Sequence, residues 1–173
     1  GNEITYTYVV PLIEVSGRKT WDDANNQDGK RPDSIRIRLY ANGIEKESKL
    51  VTAAKNWAWT FTDLPKYDNK TAILYTITED AVKDYTADVK GYDVLNSYTP
   101  GKTGVQVTKA WADAHNQDGV RPEHVMIRLL ANGEDTGKAL VLTASNKWTG
   151  AFTGLDEYKA GQKITYTVEE VPV

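Results

Sequence analysis

The amino-acid sequence repeats itself at a fixed offset, and this feature constrains the fold more than any other. Residues 19–43 and 109–133 are identical at 16 of 25 positions, at an offset of 90 residues. With one inserted residue the match continues, so that Glu79 corresponds to Glu170. Self-similarity at a fixed period marks a repeated structural unit. The chain is therefore predicted to hold two tandem copies of one domain, joined near residues 99–102.

The two ends of the chain do not fall at the ends of a repeat. Residues 4–8 align with residues 94–98 at the same offset, so they look like the closing strand of a preceding copy. Only three residues follow Glu170, so the second copy is expected to lack its own closing strand. The predicted organisation is an N-terminal extension (1–13), a first domain (14–100) and an incomplete second domain (101–173).

The local patterns predict strands throughout. Residues 34–40 alternate apolar and polar side chains with period two, which is typical of a half-buried strand. Asn42-Gly43 and Asn132-Gly133 follow the two copies of that strand, and Asn-Gly is a strong signal for a tight hairpin. Further strands are predicted at 57–61, 73–78, 147–152 and 163–168. Short strands separated by turns favour an all-β chain built from β-sandwich domains.

The composition excludes several classes of function. Hydrophobic residues make up 40% of the 173 residues, which is enough for a folded core. No apolar run reaches the ~20 residues that a membrane-spanning helix needs. A net charge of −3 argues against nucleic acid as the main partner. The absence of cysteine removes disulfides and thiolate metal sites. His115 and His124 have no second ligand at a suitable spacing, so no metal or cofactor is predicted.

Four segments carry an ordered pattern of residues: VSGRKTWDD at 15–23, NQDGKRP at 26–32, YTITED at 75–80 and LNSYTP at 95–100. This pattern resembles the Cna B-type domain, the B-repeat of Gram-positive collagen adhesins, over nearly the whole chain. The resemblance implies two tandem inverse immunoglobulin-like β-sandwiches. It also implies a spontaneous isopeptide bond between a lysine on the first strand and an asparagine on the last, promoted by a glutamate on a middle strand.

Carried over to this chain, the resemblance assigns Lys19 as nucleophile, Asn96 as acceptor and Glu79 as acid and base. The assignment is chemically reasonable, because burial favours the neutral amine that can attack. A buried, protonated carboxyl group can hydrogen-bond to the amide oxygen and pass protons to the leaving ammonia. The alternative is that Lys19 only extends its amine toward solvent and Asn96 is a strand-edge amide.

The second copy keeps the equivalents Lys109 and Glu170 but has no aligned asparagine. Its asparagines, Asn116, Asn132 and Asn146, lie at positions predicted as turns or loops. No isopeptide bond is therefore predicted within this copy.

The resulting functional hypothesis is a structural one. We expect a rigid stalk segment of a secreted, cell-wall-anchored Gram-positive adhesin, whose partners are neighbouring repeats and, through other domains, host extracellular matrix. The alternative is a module that binds a matrix protein or a glycan on an exposed sheet face. Trp57 and Trp59 share one strand face by period two and could form a sugar platform, although inter-sheet core is the other role open to them. An enzyme is not predicted, because no nucleophile–base set remains once Lys19 is consumed.

The N-terminal extension and the incomplete second copy suggest one further partner. Ile4, Tyr6 and Tyr8 lie on one face of the N-terminal segment by period two. This segment could fill the open edge of the second copy in another chain, head to tail. In the aligned register Tyr6 takes the place of Asn96, so the contact is expected to be non-covalent. A four-residue slip, which would bring Asn2 to Lys109, discards the aligned apolar contacts.

Overall fold

A computed structural model of the chain describes residues 1–172. The first copy consists of strands and one short 3-10 turn at Ala53–Lys55. Its strands are β1 (Leu12–Asp22), β2 (Ser34–Ala41), β3 (Ile44–Thr52), β4 (Ala58–Pro65), β5 (Tyr67–Asp68), β6 (Thr71–Ala72), β7 (Tyr75–Glu79), β8 (Thr86–Lys90) and β9 (Asp93–Ser97).

The second copy repeats this order as far as the equivalent of β7, with a 3-10 turn at Ala144–Asn146. Its strands are β10 (Lys102–Thr108), β11 (His124–Ala131), β12 (Glu134–Thr143), β13 (Thr149–Asp156), β14 (Tyr158–Lys159), β15 (Gln162–Lys163) and β16 (Tyr166–Glu170). The prediction of an all-β chain with tandem domains is confirmed.

Two sheets enclose the core of the first copy. One sheet has the strand order β4-β1-β9-β8 and the other has the order β3-β2-β7. Val15 and Val94 from the first sheet pack with Ile37 and Ile77 from the second in one buried cluster. β1 pairs antiparallel with β4 on one side and parallel with β9 on the other. The first and last strands of this copy are therefore direct neighbours.

The second copy forms the same two sheets with fewer strands. β10 pairs with β13, and the facing sheet has the order β12-β11-β16. Within residues 1–172, β10 has no neighbour on the side where β1 has β9. β10 also ends at Thr108, although β1 continues to the position equivalent to residue 112. The four residues by which β10 is shorter correspond to Lys19–Asp22, the part of β1 that pairs with β9.

The turns follow the predicted chemistry. Asn42, Gly43, Asn132 and Gly133 all have positive φ, as the two central residues of a tight hairpin turn require. The side chain of Asn42 also accepts a hydrogen bond from the backbone N–H of Leu74 at 2.9 Å. The Asn-Gly signal therefore marks both hairpins correctly.

Several predicted strand bounds are wrong by one to four residues. The strand predicted to begin at Trp57 begins at Ala58, because Asn56 and Trp57 have φ values of 55° and 52° and form a left-handed turn. Trp57 is thus outside the strand and does not share its face with Trp59. Trp59 is buried in the core, which confirms the inter-sheet role and leaves it unable to act as a sugar platform.

The other differences in strand bounds are shifts toward the C-terminus. The strands predicted at 73–78, 147–152 and 163–168 lie instead at Tyr75–Glu79, Thr149–Asp156 and Tyr166–Glu170. Lys147 and Trp148 form the same left-handed turn as Asn56 and Trp57, which delays the start of β13.

Both copies balance side-chain size across the pairing of their first and fourth strands. In the first copy Gly17 stands opposite Trp59, and in the second Val107 stands opposite Gly150. A Cβ placed on Gly17 would lie 1.7 Å from the carbonyl oxygen of Tyr92 and 2.7 Å from Nε1 of Trp59. Only glycine leaves room here for both the indole and the turn that precedes β9.

The chain divides into two compact units, one formed by Gly1–Asn25 with Lys30–Thr99 and the other by Asn26–Gly29 with the residues from Pro100 onward. β1 begins at Leu12, two residues before the predicted start of the first domain. Residues 1–11 carry no regular secondary structure, and the large side chains of this segment are exposed.

Candidate functional site

The site in the first copy begins with Lys19 near the end of β1. Alternation along β1 turns this residue inward, and its side chain is completely buried. The backbone N–H of Lys19 donates to the carbonyl oxygen of Trp57 at 2.7 Å, which extends the contact between β1 and the turn before β4. A long cationic side chain is thus held inside a sandwich core.

Glu79 meets Lys19 from the opposite sheet. Nζ of Lys19 donates to Oε2 of Glu79 at 2.6 Å, and the exposed fraction of the Glu79 side chain is only 1%. Burial penalises the ammonium ion and lowers the pKa of Lys19, although the Glu79 carboxylate opposes the shift. The environment therefore favours the neutral amine more than water would.

Asn96 completes the group from the adjacent parallel strand. In the β1–β9 pairing Lys19 stands opposite Val94 and Trp21 stands opposite Asn96. Asn96 thus lies two positions beyond the partner of Lys19 on the neighbouring strand, and both residues are buried. Asn96 is as deeply buried as Lys19. The three residues named from the sequence all lie in one core.

Two oxygen atoms in this core have no hydrogen-bond partner among the described residues. They are Oε1 of Glu79 and Oδ1 of Asn96. A buried acceptor without a donor costs about 1–3 kcal/mol. A proton on the Glu79 carboxyl group would supply the kind of donor that the Asn96 oxygen lacks. The two oxygen atoms thus mark a part of the core where a hydrogen-bond donor is missing.

Aromatic rings surround the amine. Nζ of Lys19 lies 4.5 Å from the centroid of the Trp21 ring. Trp21 in turn makes edge-to-face contacts with Trp57 and Tyr85, each with ring centroids 5.1 Å apart. These rings cover part of the Lys19 side chain and contribute to the burial that lowers its pKa.

A second buried group, which the sequence analysis missed, holds this aromatic shell in place. Asp23 receives two hydrogen bonds from Arg31, at 2.7 and 3.1 Å, and one from the Tyr85 hydroxyl group at 2.7 Å. The Arg31 guanidinium also lies 5.1 Å from the centroid of the Trp21 ring. Asp23 therefore fixes two of the groups that pack on Trp21.

The repeat itself contained a signal for this group. Asp113 and Arg121 occupy the equivalent positions of the second copy, and Arg121 donates to Asp113 at 2.6 and 2.8 Å. Arg121 lies 4.8 Å from the Trp111 ring centroid, and this contact corresponds to the one between Arg31 and Trp21. An aspartate and an arginine eight residues apart, identical in both copies, were available as a clue in the sequence.

The second copy assembles the same pair in a more open setting. Nζ of Lys109 donates to Oε2 of Glu170 at 2.8 Å and lies 4.8 Å from the Trp111 ring centroid. The side chains of Lys109 and Glu170 are 26% and 39% exposed, compared with 0% and 1% in the first copy. Asn116, Asn132 and Asn146 lie in turn or loop regions or, for Asn146, in a 3-10 turn. The second copy therefore contains the same lysine and glutamate as the first, but their side chains are not fully buried.

The remaining candidates stay apart from this chemistry. His115 and His124 are both exposed. Residues 1–172 contain no cluster of three or more histidine and acidic side chains suited to a metal ion. Within the same residues, no helix has the length and apolar character needed to cross a membrane.

Comparison with known proteins gives one consistent family. The family model of the Cna protein B-type domain matches residues 15–97 and 105–173. A collagen adhesin of Staphylococcus aureus is 48% identical over 168 residues, which cover 97% of this chain. The chain spans only 14% of the length of that relative.

Solved structures agree with this assignment. The crystal structure of a single B repeat unit of the collagen-binding surface protein of Staphylococcus aureus is 48% identical and has a TM-score of 0.51, covering 94% of this chain and 87% of that one. A structure of two B repeat units of the same protein has a TM-score of 0.53, covering 96% and 45% of the respective chains. These matches support the prediction that the chain is not an enzyme. The chain belongs to the Cna B-type domain family and contains two tandem copies of that domain.

Proposed function

We propose that the chain is a load-bearing repeat segment of a cell-surface adhesin, and that its first domain is locked by an isopeptide bond between Lys19 and Asn96. The observation that carries the proposal is the complete burial of the Lys19–Glu79 pair beside Asn96, on strands that are direct neighbours. A structural ion pair would gain more from a hydrated surface position, because desolvation of two charges is costly.

The reaction starts with proton transfer from the Lys19 ammonium to Glu79 across their 2.6 Å contact. The neutral amine attacks Cγ of Asn96 while the protonated carboxyl group donates a hydrogen bond to Oδ1. The bond from Nζ to Cγ forms, the bond from Cγ to Nδ2 breaks, and Nδ2 leaves as ammonia with protons relayed by Glu79. The net change is the loss of one ammonia, and no outside reagent is consumed.

The fold takes the place of an external enzyme in this reaction. Adjacent strands hold the amine and the amide side by side, so the bimolecular step becomes intramolecular. Trp21 and its aromatic neighbours keep the site dry, which favours the neutral amine. The fold therefore supplies both the proximity of the two reacting groups and the dry surroundings that the reaction needs.

The strand order explains why such a bond would matter mechanically. β1 and β9 are parallel neighbours, so tension applied at the start of β1 and the end of β9 pulls them in opposite directions along their length. A link between Lys19 and Asn96 would carry this force through one covalent bond. The residues between positions 19 and 96 would then be shielded from the load.

The broader role follows from the relatives. The similar proteins are named a collagen adhesin and a collagen-binding surface protein. Tandem stiff domains suit a stalk that presents a separate binding region, anchored in a Gram-positive cell wall. Host matrix would be contacted by other parts of such a protein, and neighbouring repeats are the direct partners of this segment.

Intact mass spectrometry tests the bond. The chain is expected to be lighter than its sequence mass by one ammonia, and a digest should contain a branched peptide joining Lys19 to Asn96. Lys19→Arg should restore the full mass, because arginine stays protonated and cannot attack. Lys109→Arg is the matched control and should leave the deficit unchanged. A full mass for the unaltered chain would overturn the proposal.

A further inference from the structure

The indole N–H of Trp21 is a hydrogen-bond donor that the first copy leaves without an acceptor. Its Nε1 atom is enclosed by protein and has no hydrogen-bond partner among the described residues. An indole N–H can only donate, and a buried tryptophan usually finds an acceptor for it. The same core contains an acceptor that lacks a donor, Oδ1 of Asn96. A donor and an acceptor therefore both remain unpaired in the core that holds Lys19.

The strand pairing brings these two residues together. Trp21 and Asn96 are direct partners in the parallel pairing of β1 with β9. Neighbouring strands lie about 4.8 Å apart, and paired residues share one face of the sheet. Trp21 packs against the hydrophobic core and Asn96 is buried, so both side chains lie on the inward face. Nζ of Lys19 lies 4.5 Å from the centroid of the Trp21 ring. The indole is therefore next to both groups that react in the proposed chemistry.

The packing of neighbouring rings fixes the position of this indole. Trp21 meets Trp57 edge to face, with ring centroids 5.1 Å apart and an interplanar angle of 72°. In the second copy Trp111 meets Trp148 in the same way, at 5.0 Å and 71°. Nε1 of Trp111 is likewise buried without a partner among the described residues. The ring contacts therefore hold each indole in place without the help of an acceptor, and the N–H stays available.

We propose that Nε1–H of Trp21 donates a hydrogen bond to Oδ1 of Asn96 as Lys19 attacks, which makes Trp21 a catalytic residue of the isopeptide reaction proposed above. Attack of Nζ on Cγ moves an electron pair of the C=O bond onto Oδ1, which becomes an oxyanion. The oxyanion accepts one hydrogen bond from the Glu79 carboxyl group and a second from the indole. The electron pair returns to Cγ when the bond from Cγ to Nδ2 breaks and ammonia leaves. The indole keeps its proton throughout.

The new hydrogen bond forms at the moment when the oxygen gains charge. Before the attack Nε1 of Trp21 has no acceptor, and catalytic hydrogen bonds are often long before they tighten in the transition state. A donor that is already held in a dry site stabilises developing negative charge without a cost of reorganisation. After ammonia leaves, Oδ1 remains as the carbonyl oxygen of the new amide and keeps the hydrogen bond from the indole.

Time-resolved mass spectrometry of the newly synthesised full chain tests this role. The chain is made in a short cell-free pulse, quenched in acid at intervals and scored for the loss of one ammonia. Replacing Trp21 by benzothienylalanine keeps the size of the ring system and puts sulfur in place of the N–H. The reaction should become about 100-fold slower, as when one oxyanion donor is removed from an enzyme.

The same replacement at Trp59 is the matched control. Nε1 of Trp59 is also buried without a described partner, but this residue stands opposite Gly17 and not opposite Asn96. The control should therefore react at the rate of the unaltered chain. If the unaltered chain never loses ammonia, the isopeptide proposal itself is wrong. If the unaltered chain reacts and the Trp21 analogue reacts equally fast, or if both analogues are slowed equally, only the catalytic role of Trp21 is overturned.

Proton NMR of the indole N–H groups gives a second measurement that does not depend on the rate. The Trp21 signal is identified by its absence in the analogue. In the linked chain it should lie downfield of its position in the unlinked Glu79→Gln protein, because the N–H is then hydrogen-bonded to the new amide. The Trp59 signal should not move. An unchanged Trp21 signal would overturn the proposed hydrogen bond to Oδ1 of Asn96.

Discussion

Replacing Glu79 by glutamine isolates the chemical role of one carboxyl group. Glutamine has nearly the same shape and can still hydrogen-bond, but it cannot accept the proton of the Lys19 ammonium. The side chain is fully enclosed, and among the described residues it hydrogen-bonds with Lys19 at 2.6 Å. The substitution should therefore leave the strands in place and stop the reaction between Lys19 and Asn96.

The loss of stability can be worked out from the position of the bond. A link between residues 19 and 96 closes a loop of 78 residues, for which chain entropy gives about 4–5 kcal/mol, as for a disulfide. For a domain of this size each kcal/mol changes the melting temperature by about 4–8 °C. The melting temperature of the first domain should therefore decrease by about 15–40 °C.

Intact mass and calorimetry measure the two consequences on the same sample. Glu79→Gln should show the full sequence mass and the lower melting temperature. Glu170→Gln is the matched control, because its carboxylate is partly exposed and no asparagine in the described part of the second copy aligns with Asn96. We expect that control to change the stability by less than about 1 kcal/mol, as for surface ion pairs. A Glu79→Gln protein that still lacks one ammonia would refute the assigned role of Glu79.

Three further predictions follow from the same geometry. Under tension in a single-molecule experiment, the unaltered first domain should not extend, whereas Glu79→Gln should release on the order of 250 Å of chain; a full extension step in the unaltered protein would contradict the load path. Gly17→Ala should destabilise the first domain by about 1–3 kcal/mol in denaturant unfolding, because its Cβ would lie 1.7 Å from the carbonyl oxygen of Tyr92; an unchanged midpoint would count against the close packing. Asn96→Leu keeps the Lys19 amine free. Its free energy of unfolding should increase as pH rises from the lowered pKa of Lys19 toward 10.5. In this pH range the unfolded chain still binds a proton that the folded chain has released. The linked protein has no amine to titrate at this position and should lack that slope, which denaturant titrations across pH can check.

Much of the fold was predictable because it depends on local patterns. The repeat defines two copies of one domain, and alternation along residues 34–40 predicts β2 almost to its observed bounds. Asn42-Gly43 marks a hairpin because both residues adopt positive φ. The starts of β4 and β13 were misplaced, since a left-handed tryptophan such as Trp57 has no sequence signature comparable to Asn-Gly.

The residues of the site could be predicted from the sequence, but the groups that pack around them could be predicted only in part. The resemblance named Lys19, Glu79 and Asn96, and the structure brings all three into one core. The Asp23–Arg31 pair was missed, although the repeat preserves it, because an ion pair eight residues apart fits no local periodicity. Its role depends on Tyr85, which contacts Asp23 from a distant part of the chain.

The contrast between the two copies separates what sequence determines from what tertiary structure decides. Both copies contain the lysine, the glutamate and the tryptophan, and in both the lysine pairs with the glutamate within 2.8 Å. The local sequence and the pairing of the strands that both copies contain are sufficient for that contact. The pair is buried in the first copy, where β9 lies beside the end of β1 and Tyr85 packs on Trp21, and it is partly exposed in the second. Reactivity depends on desolvation, and desolvation depends on a strand nearly eighty residues away from the lysine in the chain.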